Sequence, residues 1–206
     1  MVKLLKLRRR IWNVALLMGL AFLAWVTFPA LAEQKAPPPP ANARNLDFES
    51  PPATSGWPAD WGGGPAGYEP GVDQQIVHGG KQSGRIRFVG PERPGGPAFG
   101  TLVQDLSPEA YRGQRIRYSG YVRTDQADGE GAALWMRVDG AKPGETLAFD
   151  NMDGREITGT TEWKKCEIVL DVPKEAAKIN FGALLGGKGT AWVDDLQIEK
   201  VDTSVP

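Results

Sequence analysis

Residues able to do chemistry are scarce in this 206-residue chain, which has one histidine and one cysteine. A lone cysteine, Cys166, excludes an intramolecular disulfide. One His with one Cys excludes the usual zinc centres, which take three or four nitrogen or sulfur ligands, although carboxylate-rich sites stay open. Ser83 or Ser119 could be combined with His78 and an aspartate on paper, but no G-x-S-x-G elbow is present. "HGGKQSG" is not a phosphate-binding loop, because it lacks G-x-x-x-x-G-K-[ST] between a strand and a helix. These absences predict a protein that is not an enzyme. A convincing amphipathic helical segment is missing too.

The first 32 residues differ from the rest. Lys3, Lys6, Arg8, Arg9 and Arg10 come without an acid, an apolar run follows from Ile11 to Phe28, and Ala30-Leu31-Ala32 closes the segment. The pattern predicts a signal peptide over 1–32 and a secreted or periplasmic mature chain starting at Glu33. An uncleaved membrane anchor is the alternative, since the run is long for a signal sequence. Cleavage leaves 19 basic against 25 acidic residues, a net charge of −6. An acidic chain lacks the clustered Lys and Arg that neutralise phosphates, which excludes nucleic acid as a partner. Nothing after residue 32 is apolar enough to span a bilayer, so no membrane partner is expected after cleavage.

What is present reads as β-structure. Residues 33–44, "EQKAPPPPANAR", form a proline-rich spacer of extended character. Beyond it, "RNLDFE", "SGRIRFV", "GTLVQDL", "QRIRYSGYVRT", "AALWMRVD", "KKCEIVLDV", "AKINFGALL" and "TAWVDDLQIE" alternate or carry β-branched and aromatic residues between Gly, Pro and Asp clusters. "SPEAYRG" suits one helical turn. The expected fold is an all-β, two-sheet antiparallel jelly-roll β-sandwich over 45–201, with 202–206 as a tail. Cys166 shares a strand face with Ile168, Leu170 and Val172, so a buried, inert thiol is expected rather than a nucleophile.

"NLDFE", an early "GW", "HGGKQSGRIRF" and the closing "WVDDLQIE" resemble jelly-roll carbohydrate-binding modules of the galactose-binding-like superfamily. The run from Phe149 to Asp195 is similar to an uncharacterised domain found alone, beside transcription-regulator modules, or before tail-specific-protease domains. The first resemblance implies a structural Ca²⁺ held by Glu49, Asp195 and the carbonyls of Asp47 and Lys81. His78 stands where such modules can carry an acid, a departure from that pattern. The alternative for the Asp194-Asp195 pair is hydrogen bonding from loop amides or pairing with an Arg. As a catalytic dyad the two are poorly suited, because adjacent strand residues face opposite ways unless a bulge redirects one.

Strand phase nominates a ligand surface. Ile116, Tyr118, Val122, Leu134, Met136, Val138, Ile179, Phe181 and Ala183 suit the core. That leaves Tyr121, Arg123, Trp135, Arg137 and Asn180 outward as a polar-aromatic groove of the kind that binds sugars, with Arg117 also outward. The competing expectation covers Trp135 with the 149–157 loop and pairs Arg137 with Asp150 or Asp153. Trp57 and Trp61 are alternative platforms or plugs of the core; Trp163 and Trp192 are expected in it. Two functions follow: a non-catalytic binding module for a glycan, or a protein-interaction or accessory domain. The oligomeric state is not legible.

Overall fold

The computed structural model describes residues 41–64, 67–90 and 99–206; the expected signal segment 1–32 and residues 33–40 of the expected spacer lie outside the described residues. Among the described residues nine strands carry the fold: β1 (Gly62–Gly64), β2 (Tyr68–Asp73), β3 (Ser83–Phe88), β4 (Phe99–Leu106), β5 (Arg115–Asp139), β6 (Thr146–Asp150), β7 (Ile157–Asp171), β8 (Lys178–Gly186) and β9 (Thr190–Val201). Every pairing is antiparallel. No described residue is helical.

β5 belongs to two sheets. Its first half pairs with β7 on one side and β9 on the other, and its second half pairs with β8 and β6. The change of sheet occurs at 126–131, where Gln126 (φ 51°), Gly129 (φ 61°) and Gly131 (φ 74°) are left-handed. Glycine tolerates that geometry without a Cβ clash, so the chain turns there and pairing resumes with new neighbours. One layer therefore runs β2-β3-β9-β5-β7 and the other β1-β4-β8-β5-β6. The expected "QRIRYSGYVRT" and "AALWMRVD" strands are the two halves of one continuous strand, and β1, β2 and β6 were not anticipated.

The alternation predicted from phase holds in the core. Ile116, Tyr118, Val122, Leu134, Met136, Val138, Ile179, Phe181 and Ala183 are all buried between the layers. Each large apolar side chain so buried contributes roughly 1.5–3 kcal/mol. Cys166 lies at the core margin, and burial pushes its thiol pKa up to about 11, which suits an inert group.

The opening segment is not a strand. Asn45 (φ 47°) and Phe48 (φ 57°) are left-handed, and "NLDFE" folds into a turn in which Phe48 N donates to Asn45 O at 3.3 Å. Asn45 holds that turn through Ser50 N to its Oδ1 (2.9 Å) and its Nδ2 to Ala59 O (2.8 Å). Phe48 is thereby driven fully into the core and stacks on Trp61 at 5.2 Å. Core burial outweighs the strand propensity of the segment. Trp61 is thus a plug of the core, while Trp57 is half-buried. At 108–112 the N–H groups of Tyr111 and Arg112 both donate to Pro108 O, a single turn as expected.

Candidate functional site

A groove of about 420 Å³ lies across the outer face of the β4-β8-β5-β6 layer, lined by Phe99, Thr101, Val103, Glu130, Trp135, Arg137, Phe149, Asn151, Glu156, Asn180 and Leu184. Strand register builds its floor. Val103 pairs with Gly182, and Gly182 pairs with Trp135 on the other side. Because Gly182 carries no side chain, the indole crosses β8 and its Nε1 donates to Thr101 Oγ1 on β4 at 3.1 Å. Thr101 Oγ1 in turn donates to Ala183 O at 2.8 Å. Trp135 is half-buried and its one polar atom is satisfied, so its position is fixed. Phe99 (39% exposed) and Phe149 (53% exposed) flank it, two large apolar rings left open to solvent.

Along the next cross-strand row, Asn180, Arg137 and Phe149 sit side by side. Arg137 donates from Nε and Nη2 to the two oxygens of Asp139 (2.7 and 3.0 Å), and Asn180 Nδ2 donates to Asp139 Oδ2 at 2.6 Å. The expected partners of Arg137, Asp150 and Asp153, are therefore replaced by Asp139. Asp150 is taken by Arg155 Nη2 (2.6 Å) and by Met152 N (2.7 Å). The 149–157 segment forms one wall of the groove through Phe149, Asn151 and Glu156 and leaves Trp135 among the lining residues.

The five nominated ligand residues do not converge. Trp135, Arg137 and Asn180 share the groove, but Tyr121 and Arg123 precede the change of sheet in β5 and face outward from the other layer. There Arg123 pairs with Glu162 at 3.0 Å. Tyr121 stacks on His78 (centroids 3.6 Å apart, planes 17° apart), and Trp163 meets the same imidazole edge-on at 5.6 Å. Trp163 and Trp192 are half-buried on this outer face rather than in the core, with Trp192 Nε1 donating to Asp73 Oδ2 at 2.9 Å. Ala191 and Val193 occupy the inward positions beside Trp192, which fixes its phase. Sequence reasoning missed Phe99, Phe149 and Asp139. The two phenylalanines sit at strand ends beside loops, where alternation is too short to phase.

The paired aspartates are reorganised by a bulge in β9. The register with β5 slips between Tyr121–Asp194 and Ser119–Gln197, and Asp195 is left-handed (φ 49°). Asp194 is fully buried and accepts N–H groups from His78 (2.9 Å), Gly79 (3.1 Å) and Asp195 (2.8 Å). Burial raises its pKa against these amides, which pull it down, and the neighbouring Asp195 charge adds to the rise. Asp195 Oδ2 meets His78 Nδ1 at 2.6 Å. Both carboxylates thus address one loop, residues 74–82.

Glu49 reaches the same loop from the opposite chain end, accepting Lys81 N (2.7 Å) and Gln82 N (3.0 Å). A Cβ at Gly79 would meet the Asp195 carboxylate and one at Gly80 the Glu49 carboxylate. Glycine at both positions leaves a cradle for the two acids. Asp47 is adjacent, its Oδ1 accepting Glu49 N at 3.3 Å. The carboxylates are oxygen donors of the kind Ca²⁺ takes, but among the described residues no group of three or more His, Cys, Asp and Glu side chains gathers as a metal site, and Glu49 and Asp195 already hold loop amides and His78. Ser83 is buried and donates to Ile76 O at 2.6 Å, so it is not poised as a nucleophile toward His78.

Two five-stranded antiparallel layers of described strands around one core, with a groove on one outer face, define a jelly-roll β-sandwich. Solved structures of that fold include the CBM22-1 xylan-binding domain of Paenibacillus barcinonensis Xyn10C, 18% identical, with TM-score 0.54 over 77% of this chain and 94% of that one. A xylan-binding domain from CBM 22, formerly x6b, gives TM-score 0.52 at 15% identity over 77% and 94%. The CBM22-1 and GH10 modules of Clostridium thermocellum endo-1,4-β-D-xylanase 10B, complexed with xylohexaose, give 0.51 at 14% identity over 71% and 27%. At these identities the likeness is one of fold. By sequence, 145 residues are 43% identical to YbfP of Bacillus subtilis (strain 168), an uncharacterized HTH-type transcriptional regulator. The match covers 70% of this chain and 48% of that protein, so the chain spans about half the length of this relative. No family model matches.

Proposed function

We propose that this protein is a non-catalytic module that binds a glycan in the groove floored by Trp135. One observation carries the reading: a fixed indole lies between two exposed phenyl rings, with Arg137, Asn151 and Asn180 beside them. Pyranose rings have apolar C–H faces and hydroxyl edges, and this surround offers flat aromatic area together with amide and guanidinium groups. The fold shared with xylan-binding modules supports it. Binding of wild-type protein and Trp135→Ala to a glycan array or to insoluble polysaccharides tests it. Retention by at least one glycan, lost in the variant, is expected; binding to no glycan sinks the reading.

In the same proposal, Glu49, Asp195 and the carbonyls of Asp47 and Lys81 would hold a Ca²⁺ that fastens loop 74–82 and takes no part in chemistry. Secretion or periplasmic location rests on the pattern of residues 1–32. N-terminal sequencing of protein exported from a bacterial host, with Glu33 expected first, tests that part.

One observation favours a second reading, an accessory or protein-interaction domain: the identity with half of a transcriptional regulator. Under it, Phe99 and Phe149 would meet a protein partner. Partner capture lost in Phe149→Ala, without glycan binding, would select this reading.

A further inference from the structure

Resting on the glycan reading, we infer that the groove selects glycans that carry no negative charge and rejects their uronate counterparts. Sites that take carboxylates present a free guanidinium fork or ammonium group. Arg137 is the one cationic side chain among the described residues that line this groove. Its Nε and Nη2 already bind both oxygens of Asp139, which leaves Nη1 on the exposed side. Asp139 is itself held by Asn180, and its side chain is only 18% exposed. The pair is therefore neutral as a unit, and its Nε–Nη2 edge is taken.

The remaining charges are both negative. Glu130 and Glu156 line the groove, and neither belongs to an ion pair among the described residues. Glu130 packs over Gly186 at the end of β8, while Glu156 is the last residue of the loop between β6 and β7. A uronate laid across Trp135 would meet two carboxylates outside any ion pair and a guanidinium whose charge Asp139 already offsets. A neutral sugar would meet the same two groups as hydrogen-bond acceptors for its hydroxyls. Glu156 is half-buried, so solvent screens its repulsion incompletely, while exposed Glu130 acts chiefly at low salt.

The test uses matched pairs that differ only at C6: gluco-, galacto- and manno-configured oligosaccharides against the corresponding oligouronates, by calorimetry. For any neutral oligosaccharide that binds, the uronate is expected to bind at least about tenfold more weakly at low salt, with the gap closing in high salt. The variants Asp139→Asn, which frees the guanidinium, and Glu130→Gln/Glu156→Gln are each expected to raise the uronate-to-neutral affinity ratio. Should Asp139→Asn fail to fold, the double glutamine variant, made at groove-lining positions outside the core, carries the test alone. A uronate bound as tightly as its neutral partner at low salt overturns the inference and leaves the glycan reading standing. Failure of both series to bind overturns the glycan reading itself and this inference with it.

Discussion

His78 lies flat on Tyr121, ring centroids 3.6 Å apart, while its Nδ1 meets Asp195 Oδ2 at 2.6 Å. This stack occupies the outer face opposite the Trp135 groove and fastens loop 74–82 to β5 and β9. Tyr121→Ala is expected to lower stability by about 1–2 kcal/mol, since an aromatic pair adds to the area it buries. Glycan binding in the groove should be unaffected. Chemical denaturation beside a binding titration separates the two effects.

In the groove the balance is reversed. Phe149 is exposed, so Phe149→Ala should change stability by less than about 0.5 kcal/mol while weakening glycan binding. Trp135→Ala should weaken binding at least tenfold, about 1.4 kcal/mol or more. Parallel melting curves and titrations of the two variants read this out.

The calcium proposal makes a thermal prediction. EDTA should lower the melting temperature of the wild type, and added Ca²⁺ should restore it; no shift would remove the metal from the account. Gly80→Ala, at φ +59° and with its Cβ directed at the Glu49 carboxylate, should cost about 1–3 kcal/mol with or without chelator.

Two aspartates give opposite pH dependence. Burial pushes the Asp73 pKa up, but Trp192 Nε1–H, the amides of Gln75 and Ile76, and Arg85 together bring it below its ordinary 3.8. Its contribution is therefore present above pH 3.8 and lost as pH falls through the lowered value. The Asp194 pKa is raised above 3.8, so its contribution is fullest below pH 3.8 and lost as pH rises through the raised value. Wild-type melting temperatures measured against pH beside Asp73→Asn should show the gap shrink in acid. Beside Asp194→Asn, the wild type should lose ground as pH rises.

Phe48 closes one end of the core from a turn rather than a strand. Phe48→Ala should cost about 3–5 kcal/mol, more than any change on the two outer faces, and denaturant titration measures it.

Period-two alternation alone assigned Val122, Leu134, Met136, Phe181 and their neighbours to the interior, because a residue's face in a strand follows from its parity. The same parity set Tyr121, Arg123, Trp135, Arg137 and Asn180 outward, and that also holds in phase: Asn180, though only 4% exposed, faces the groove beneath Arg137 and Asp139. Parity says nothing about which sheet a residue belongs to. The turn at 126–131 sends one strand through both layers, and this three-dimensional event separated Tyr121 and Arg123 from Trp135. Asp194 and Asp195 were legible as neighbours of opposite phase, but the bulge that returns both to His78 depends on Leu196 packing over Gly120 and on Leu196 N reaching Leu46 O. The sequence by itself determined the β-class and the inward and outward phase of β5 and β8, since these depend on local alternation and hydrophobic burial, whereas Trp163 and Trp192, expected in the core, lie on an outer face. Only the tertiary structure decided which outward residues meet, because that depends on pairing between strands far apart in the chain.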